Sequence, residues 1–466
     1  MIDLLHQGER KVVRFAIEKA LEKVGADKEI TEKDAEALVK VMDKILGVYW
    51  RPELADGIKK LVTDKDGKWH HYFKRMVRSC DRDILTNFIL NVGYEGLYRG
   101  RKTSDKLAEE NDCNIPWIIL MDPTSACNMK CKGCWAAEYG YKENLSFEVM
   151  DRVLTEAEEM GVHYVMFTGG EPLVRKNDVL KLCENHPEIM FQCFTNSTLI
   201  DEAFCKEMLR VKNLIMAISI DGDEASNDER RGDGHYAKIE NAMRLMKENG
   251  IPFAVSVCYT SKNYLDVTSD EFFDRLIERG AYVAWYFHYM PVGAMAVPEL
   301  LPTPEQRLHM LKRLREVRAG EGGKELFCID FQNDAEFVGG CVAGGRRYCH
   351  INAAGYVEPC VFIHYSTANV NEMSFLECMQ QPLFKKYHEN HPFNENHLRP
   401  CPMLENPEVL NRMVKESGAV STDHEAPEGV DTLTTRCLPY AKNWAPSADT
   451  AWDKIQENKQ AKAAVC

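Results

Sequence analysis

From Trp117 onward the chain alternates short apolar runs of strand type with amphipathic stretches of helix length, and that alternation restricts the fold more than any other feature. Six runs recur: Trp117 to Met121, Tyr164 to Phe167, Met190 to Phe194, Leu214 to Ile220, Phe253 to Tyr259 and Val283 to Tyr289. Helical stretches such as Phe147 to Met160 and Lys238 to Asn249 separate them. Strands joined by crossover helices lie parallel, because the helix returns the chain to the same end of the sheet. The expected fold class is α/β, a partial barrel of six strand–helix units. Chemistry in such barrels collects in the loops leaving the C-terminal ends of the strands.

Residues 1–112 read as a helical module: Glu9 to Val24 and Lys33 to Leu46 carry apolar residues three and four apart, and Thr31 with Asp34 marks a helix start. Its later part, Trp69 to Arg101, mixes aromatic residues with Lys74, Arg75, Arg78, Arg99 and Arg101, which suits a face packed on the main domain or docked on a membrane surface. The barrel is expected over 113–325, a smaller extension over 326–405 and a polar tail over 406–466. A formal charge of −14 argues against a nucleic-acid partner, which would require clustered positive charge. No apolar run approaches the roughly 18 residues that span a bilayer, and Met1 to His6 lacks a secretory apolar segment, so the chain reads as cytoplasmic.

In a chain read that way, 17 cysteines point to metal or redox chemistry rather than disulfides. Directly after the first strand, Cys127, Cys131 and Cys134 bring three thiolates onto one tight loop. A closed zinc site or a saturated cluster takes four protein ligands, whereas three thiolates on a cubane leave one iron free. A zinc loop completed by a distant cysteine or histidine is the alternative on this motif alone. After the second strand stand Gly169, Gly170, Glu171 and Pro172. They offer a backbone that can approach a ligand, carbonyls that accept from an ammonium group, an anchoring carboxylate and a turn fixed by proline.

The cysteine loop, with Trp135 after its last cysteine, and the Gly-Gly-Glu-Pro turn resemble the signature of the radical S-adenosylmethionine (SAM) superfamily. The resemblance implies that Cys127, Cys131 and Cys134 ligate a 4Fe–4S cluster whose free iron takes SAM. Reductive cleavage of SAM then yields a 5′-deoxyadenosyl radical that abstracts hydrogen from a peptide, lipid or small molecule. It also implies that Trp135 packs near the cluster or the adenine, that Gly169, Gly170, Glu171, Pro172 and Asn196 contribute to the SAM site, and that Ser219 and Arg231 bind the ribose and the methionine carboxylate. A guanidinium suits that carboxylate because it pairs with it at two points; a solvated Arg230–Arg231 loop pair is the plainer reading. An anaerobic oxidoreductase fed by reduced ferredoxin or flavodoxin is expected.

Beyond the barrel, Cys341, Cys349, Cys360 and Cys401 resemble the auxiliary-cluster extension called SPASM, or its shortened twitch form, which implies a second 4Fe–4S cluster held by those four residues. Cys378 or a non-cysteine group is the alternative to Cys349, and a three-thiolate auxiliary cluster would be open to substrate. Cys183, Cys193, Cys205, Cys258 and Cys328 read as buried thiols, and Cys437 and Cys466 as residues of the polar tail. The rival function is a non-catalytic iron–sulfur carrier or sensor, which explains the cysteines but not the Gly169–Glu171 turn or the Ser219 and Arg231 pair.

Overall fold

The structure is a computed structural model that describes residues 2–25, 64–136, 142–293, 295–320, 322–424 and 426–463. All six expected strands form, with ends shifted by at most two residues: β1 (Ile118–Met121), β2 (Tyr164–Phe167), β3 (Met190–Thr195), β4 (Leu214–Ser219), β5 (Phe253–Tyr259) and β6 (Ala281–His288). They pair in sequence order, all parallel. The helices Phe147–Glu159, Glu202–Val211 and Asp270–Arg279 start on Ser146, Asp201 and Ser269, each accepting a backbone N–H three residues on.

The sheet continues past residue 325, where the sequence reading ended the barrel. β7 (Phe327–Asp330) pairs parallel with β6. β8 (Tyr348–Ile351) pairs parallel with β1 in the register Ile118↔Tyr348, and β9 (Val357–Glu358) folds back antiparallel on β8. The order is β7-β6-β5-β4-β3-β2-β1-β8-β9. β9 has two residues, too few to show a period. The extension therefore supplies strands to the sheet rather than hanging from it.

The barrel is hollow. On β1, Ile119 and Met121 are fully buried, whereas Ile118 and Leu120 point inward and border a cavity of about 890 Å³. On β6, Ala284 and Tyr286 are buried among the helices while Trp285 and Phe287 line the same cavity. Closed eight-stranded barrels fill this space with side chains.

The N-terminal region packs beneath the barrel. In the helix Lys68–Ser79, Arg75 donates to the carbonyls of Ile277, Ala281 and Glu325 and lies 4.4 Å from the centroid of the Tyr282 ring. Arg75 thus faces the barrel, in line with the packed-face reading. A π-helical segment, Ile89–Gly100, and the helix Arg101–Asn111 follow, and Leu97 and Arg101 border the cavity. The helix Ile2–Gly25 docks on the fully buried Glu95 carboxylate, which His6, Arg10 and Arg99 meet at 3.0, 2.5 and 2.9 Å. The expected helix Lys33 to Leu46 lies outside the described residues.

The expected polar tail is instead folded. Helices Pro407–Ser417 and Val430–Ala463 build a second core with Leu410, Met413, Leu433, Cys437 and Trp444. Their polar outer faces dominate the composition, which hid the buried stripe. The fully buried Arg307 joins this core to the barrel side, pairing with Glu405 at 2.6 Å beneath the Trp444 ring. Cys466 lies outside the described residues. Among the described residues no helix is long and apolar enough to cross a membrane.

Burial alone would raise the Glu95 carboxyl, and the Arg10 guanidinium and His6 override it, holding it below its ordinary range. A depressed acid contributes stability above its unfolded pKa and loses it as pH falls through the folded value. Docking of the first helix should therefore be intact at neutral pH and fade below about pH 4. Glu95→Ala, which leaves Arg10 without its buried partner, should cost about 3–5 kcal/mol and expose the first 25 residues to limited proteolysis at pH 7.

Candidate active site

The loop leaving β1 is held by the turn leaving β2. Gly170 N donates to Thr124 O at 3.0 Å, and Glu171 N to Ala126 O at 2.9 Å. A Cβ on Gly170 would stand 2.3 Å from the Ala126 carbonyl oxygen, and one on Gly169 2.6 Å from that of Thr124. The two glycines border the cavity, yet the backbone they admit most closely is the cysteine loop itself. Within that loop Gly133 has φ of +62°, and a Cβ there would meet the Tyr289 hydroxyl at 2.7 Å.

Cys127, Cys131 and Cys134 are free thiols that border the cavity. Cys127 stands at the exposed rim, but the protein packed around its sulfur pushes the thiol up to about 12, with repulsion from Glu171, Cys134 and Cys131 adding to it. Burial also raises Cys134. Backbone N–H groups of Met129 and Ala136 donate to these two sulfurs, favouring the thiolate. Crowded thiols with amide donors aimed at them are relieved by a cationic centre, and the donor set fits a 4Fe–4S cluster with three protein ligands.

Trp135, Gly169, Gly170, Glu171, Asn196, Ser219 and Arg231 all border the cavity that the three thiols face. Pro172 opens the short 3-10 turn Pro172–Arg175. The Glu171 carboxylate, raised to about 7 by burial, accepts from Leu173 N (3.1 Å), the Thr195 hydroxyl (2.7 Å) and Asn196 N (2.7 Å), so it ties β2 to β3. Asn196 Nδ2 reaches back to Asn128 Oδ1 at 2.8 Å in the cysteine loop. Arg230 and Arg231 are not a solvated pair: both bind Asp221 Oδ2, at 2.6 and 2.7 Å. Burial would raise Asp221, and the two guanidinium groups, Arg231 foremost, override it and hold it at about 2. Lys132 N donates to Arg230 O at 2.9 Å, which brings this cationic pair to the cysteine loop. His235, not singled out in sequence, supports Asn196 through Nε2 at 2.9 Å from its carbonyl oxygen; a histidine opening a helix after Gly234 gave no signal of that contact.

In the extension, Cys341, Cys360 and Cys401 come together. Each is raised by burial, each accepts a backbone N–H (from Ala343, Phe362 and Leu404), and they feel one another's charge. Cys349 does not join them. Successive side chains of β8 face opposite ways: Tyr348 turns its hydroxyl to Cys360 Sγ at 2.6 Å, and Cys349 is buried on the other face in the main core, beside Cys378. The placement of Cys349 in the ligand set is thereby corrected, and Cys378 is no substitute. Tyr387, whose buried hydroxyl has no hydrogen-bond partner, feels all three thiols and gives the non-cysteine alternative a phenol.

Residues 121–264 match the family model of the radical SAM superfamily, and residues 341–403 that of an iron-sulfur cluster-binding domain, SPASM. The chain is 26% identical over 341 residues to the AdoMet-dependent heme synthase of Nitratidesulfovibrio vulgaris, covering 67% of this chain and 90% of that one. It is 26% identical over 293 residues to the PqqA peptide cyclase of Granulibacter bethesdensis, covering 58% and 76%. In architecture it resembles Streptococcus suis SuiB bound to the precursor peptide SuiA, with a TM-score of 0.55 at 19% identity over 66% of this chain and 76% of that one.

Two substitutions test the geometry. Gly170→Ala should lower iron bound at the first site although every cysteine remains, because the added methyl displaces the loop that carries them. Cys349→Ala should keep its auxiliary iron, whereas Cys360→Ala should lose about four irons per chain, read by metal analysis after anaerobic reconstitution.

Proposed function

From a chain that belongs to the radical SAM superfamily and carries a SPASM extension, we propose that Cys127, Cys131 and Cys134 hold a 4Fe–4S cluster open at one iron, above a chamber whose apolar wall receives the substrate. The observation that carries this reading is that the three thiols, the Gly169–Glu171 turn, Ser219 and Arg231 border one cavity with Phe194, Trp285 and Phe287. When bound, such a cluster binds SAM at its open iron and supplies the electron that cleaves SAM to methionine and the 5′-deoxyadenosyl radical, the hydrogen-abstracting species.

Arg231 offers the guanidinium nitrogens not engaged by Asp221 to the methionine carboxylate. Carbonyls of the Gly169–Gly170 turn accept from the methionine ammonium group, Asn196 and Ser219 lie within the same wall for the ribose, and Trp135 shields the cluster side. Hydrocarbon walls exclude water from the radical. Reduced ferredoxin or flavodoxin is the proposed electron donor. Cys341, Cys360 and Cys401 hold one auxiliary cluster behind Tyr348. The named relatives divide between heme synthesis and peptide cyclisation, and the apolar lining of this chain favours a substrate whose reacting region is hydrocarbon. A mere electron carrier or sensor leaves the 890 Å³ chamber without a role.

Anaerobically reconstituted protein with a strong reductant should release 5′-deoxyadenosine from SAM, and Cys127→Ala, Cys131→Ala or Cys134→Ala should each reduce release to background. Arg231→Gln should raise the KM for SAM roughly tenfold or more with iron content unchanged, the expected effect of losing a charge-assisted bond. Release that survives loss of any of the three cysteines would overturn the assignment.

A further inference from the structure

The chamber is chemically uneven along its length. At its upper end Arg230 and Arg231 share Asp221, with the methionine carboxylate as the further partner proposed for Arg231, and Glu171 accepts from Thr195 and Asn196. Its middle is largely hydrocarbon and aromatic, with Leu120, Met166, Phe194, Trp285, Phe287 and Ile329, beside the hydroxyl of Ser256. At the lower end, beside the first residues of β1 and β8, stand Arg101 and Arg347. Arg101 is held by Asp105 at two points, 3.0 and 2.8 Å. Arg347 is half-buried near both, and among the described residues no carboxylate lies within ion-pair distance of it. Among the described residues, two guanidinium groups thus share one carboxylate at the foot of the chamber. A half-buried guanidinium with no carboxylate of its own can take an anionic ligand.

We infer that the chamber takes an amphiphilic anion, an oxyanion head group on a long apolar body, with the head on Arg347 beside Arg101 and the far end of the body at the cysteine loop. This rests on the radical SAM reading and names its substrate class. A guanidinium binds carboxylate or phosphate oxygens at two points, and among the described residues no hydrogen bond or ion pair engages the Arg347 side chain. The wall between the two ends suits methylene groups and offers few partners to the N–H and C=O groups of a peptide. The three residue steps of β1 place the head group roughly 10 Å below the strand tops, so the attacked C–H is remote from the anion.

Calorimetric titration of the reconstituted holoenzyme with dodecanoate, dodecyl phosphate and neutral dodecanol tests this. At least one anion should bind tenfold or more tighter than the alcohol, and the tighter of the two identifies the head group. Arg347→Gln should remove that advantage while dodecanol binding and iron content stay as in the parent protein. Asp105→Asn, at a partly exposed position, should strengthen anion binding severalfold by freeing Arg101, and it serves should the arginine variant fail to fold. Equal affinity for anion and alcohol, indifference to both substitutions, or tight binding of an unstructured dodecapeptide in their place would overturn the inference. SAM cleavage measured in the same samples keeps the premise separate: cleavage without anion selectivity sinks the head-group site alone, and selectivity without cleavage sinks the radical reading alone.

Discussion

The whole upper face of the barrel depends on backbone meeting backbone where the turn after β2 passes under the loop after β1. Gly170 and Glu171 donate to Thr124 and Ala126, and no side chain fits between the two segments. Once the segments touch, the rest follows by short links. The Glu171 carboxylate reaches Thr195 and Asn196, Asn196 reaches Asn128, and His235 holds Asn196 from behind. Loops from three strands become one rigid seat for the three thiols. A site so connected is pre-organised, which is what chemistry on a short-lived radical requires of its surroundings.

Beneath that seat the usual economy of a barrel is inverted. On β1 and β6, residues that face the helices are the tightly buried ones, and those that face inward are left partly covered. Such a hollow would be costly if the sheet were its only wall, because apolar side chains would face water. The extension and the N-terminal segment reduce that cost. β8 and β9 lengthen the sheet beside β1, Val342, Tyr348 and Phe362 form one wall, and Leu97 and Arg101 close the foot. Both flanking regions are thus parts of the chamber.

The auxiliary site shows how strongly a two-residue period constrains function. Tyr348 and Cys349 are adjacent, yet β8 sends one toward Cys360 and the other into the opposite core. Pairing with β1 fixes this, since a slip of one residue would exchange every side chain between the two faces. Backbone amides two or three residues beyond the sulfur donate to Cys127, Cys134, Cys341, Cys360 and Cys401, a local feature of both sites.

Alternating apolar runs and helices, the three-cysteine loop and the Gly-Gly-Glu-Pro turn were enough to read a parallel barrel, its strands nearly to the residue, and the family of its chemistry, because each is set by spacing along the chain. Spacing could not show that Cys349 faces away from Cys341, that Arg230 and Arg231 are buried on Asp221, or that Val430–Ala463 packs as a core helix. Those outcomes depend on which distant segment lies opposite, through strand register, charge pairing and the burial of one helix face. The chamber belongs wholly to the second kind: its walls come from residues as far apart as Leu97 and Phe362, and a void has no sequence of its own.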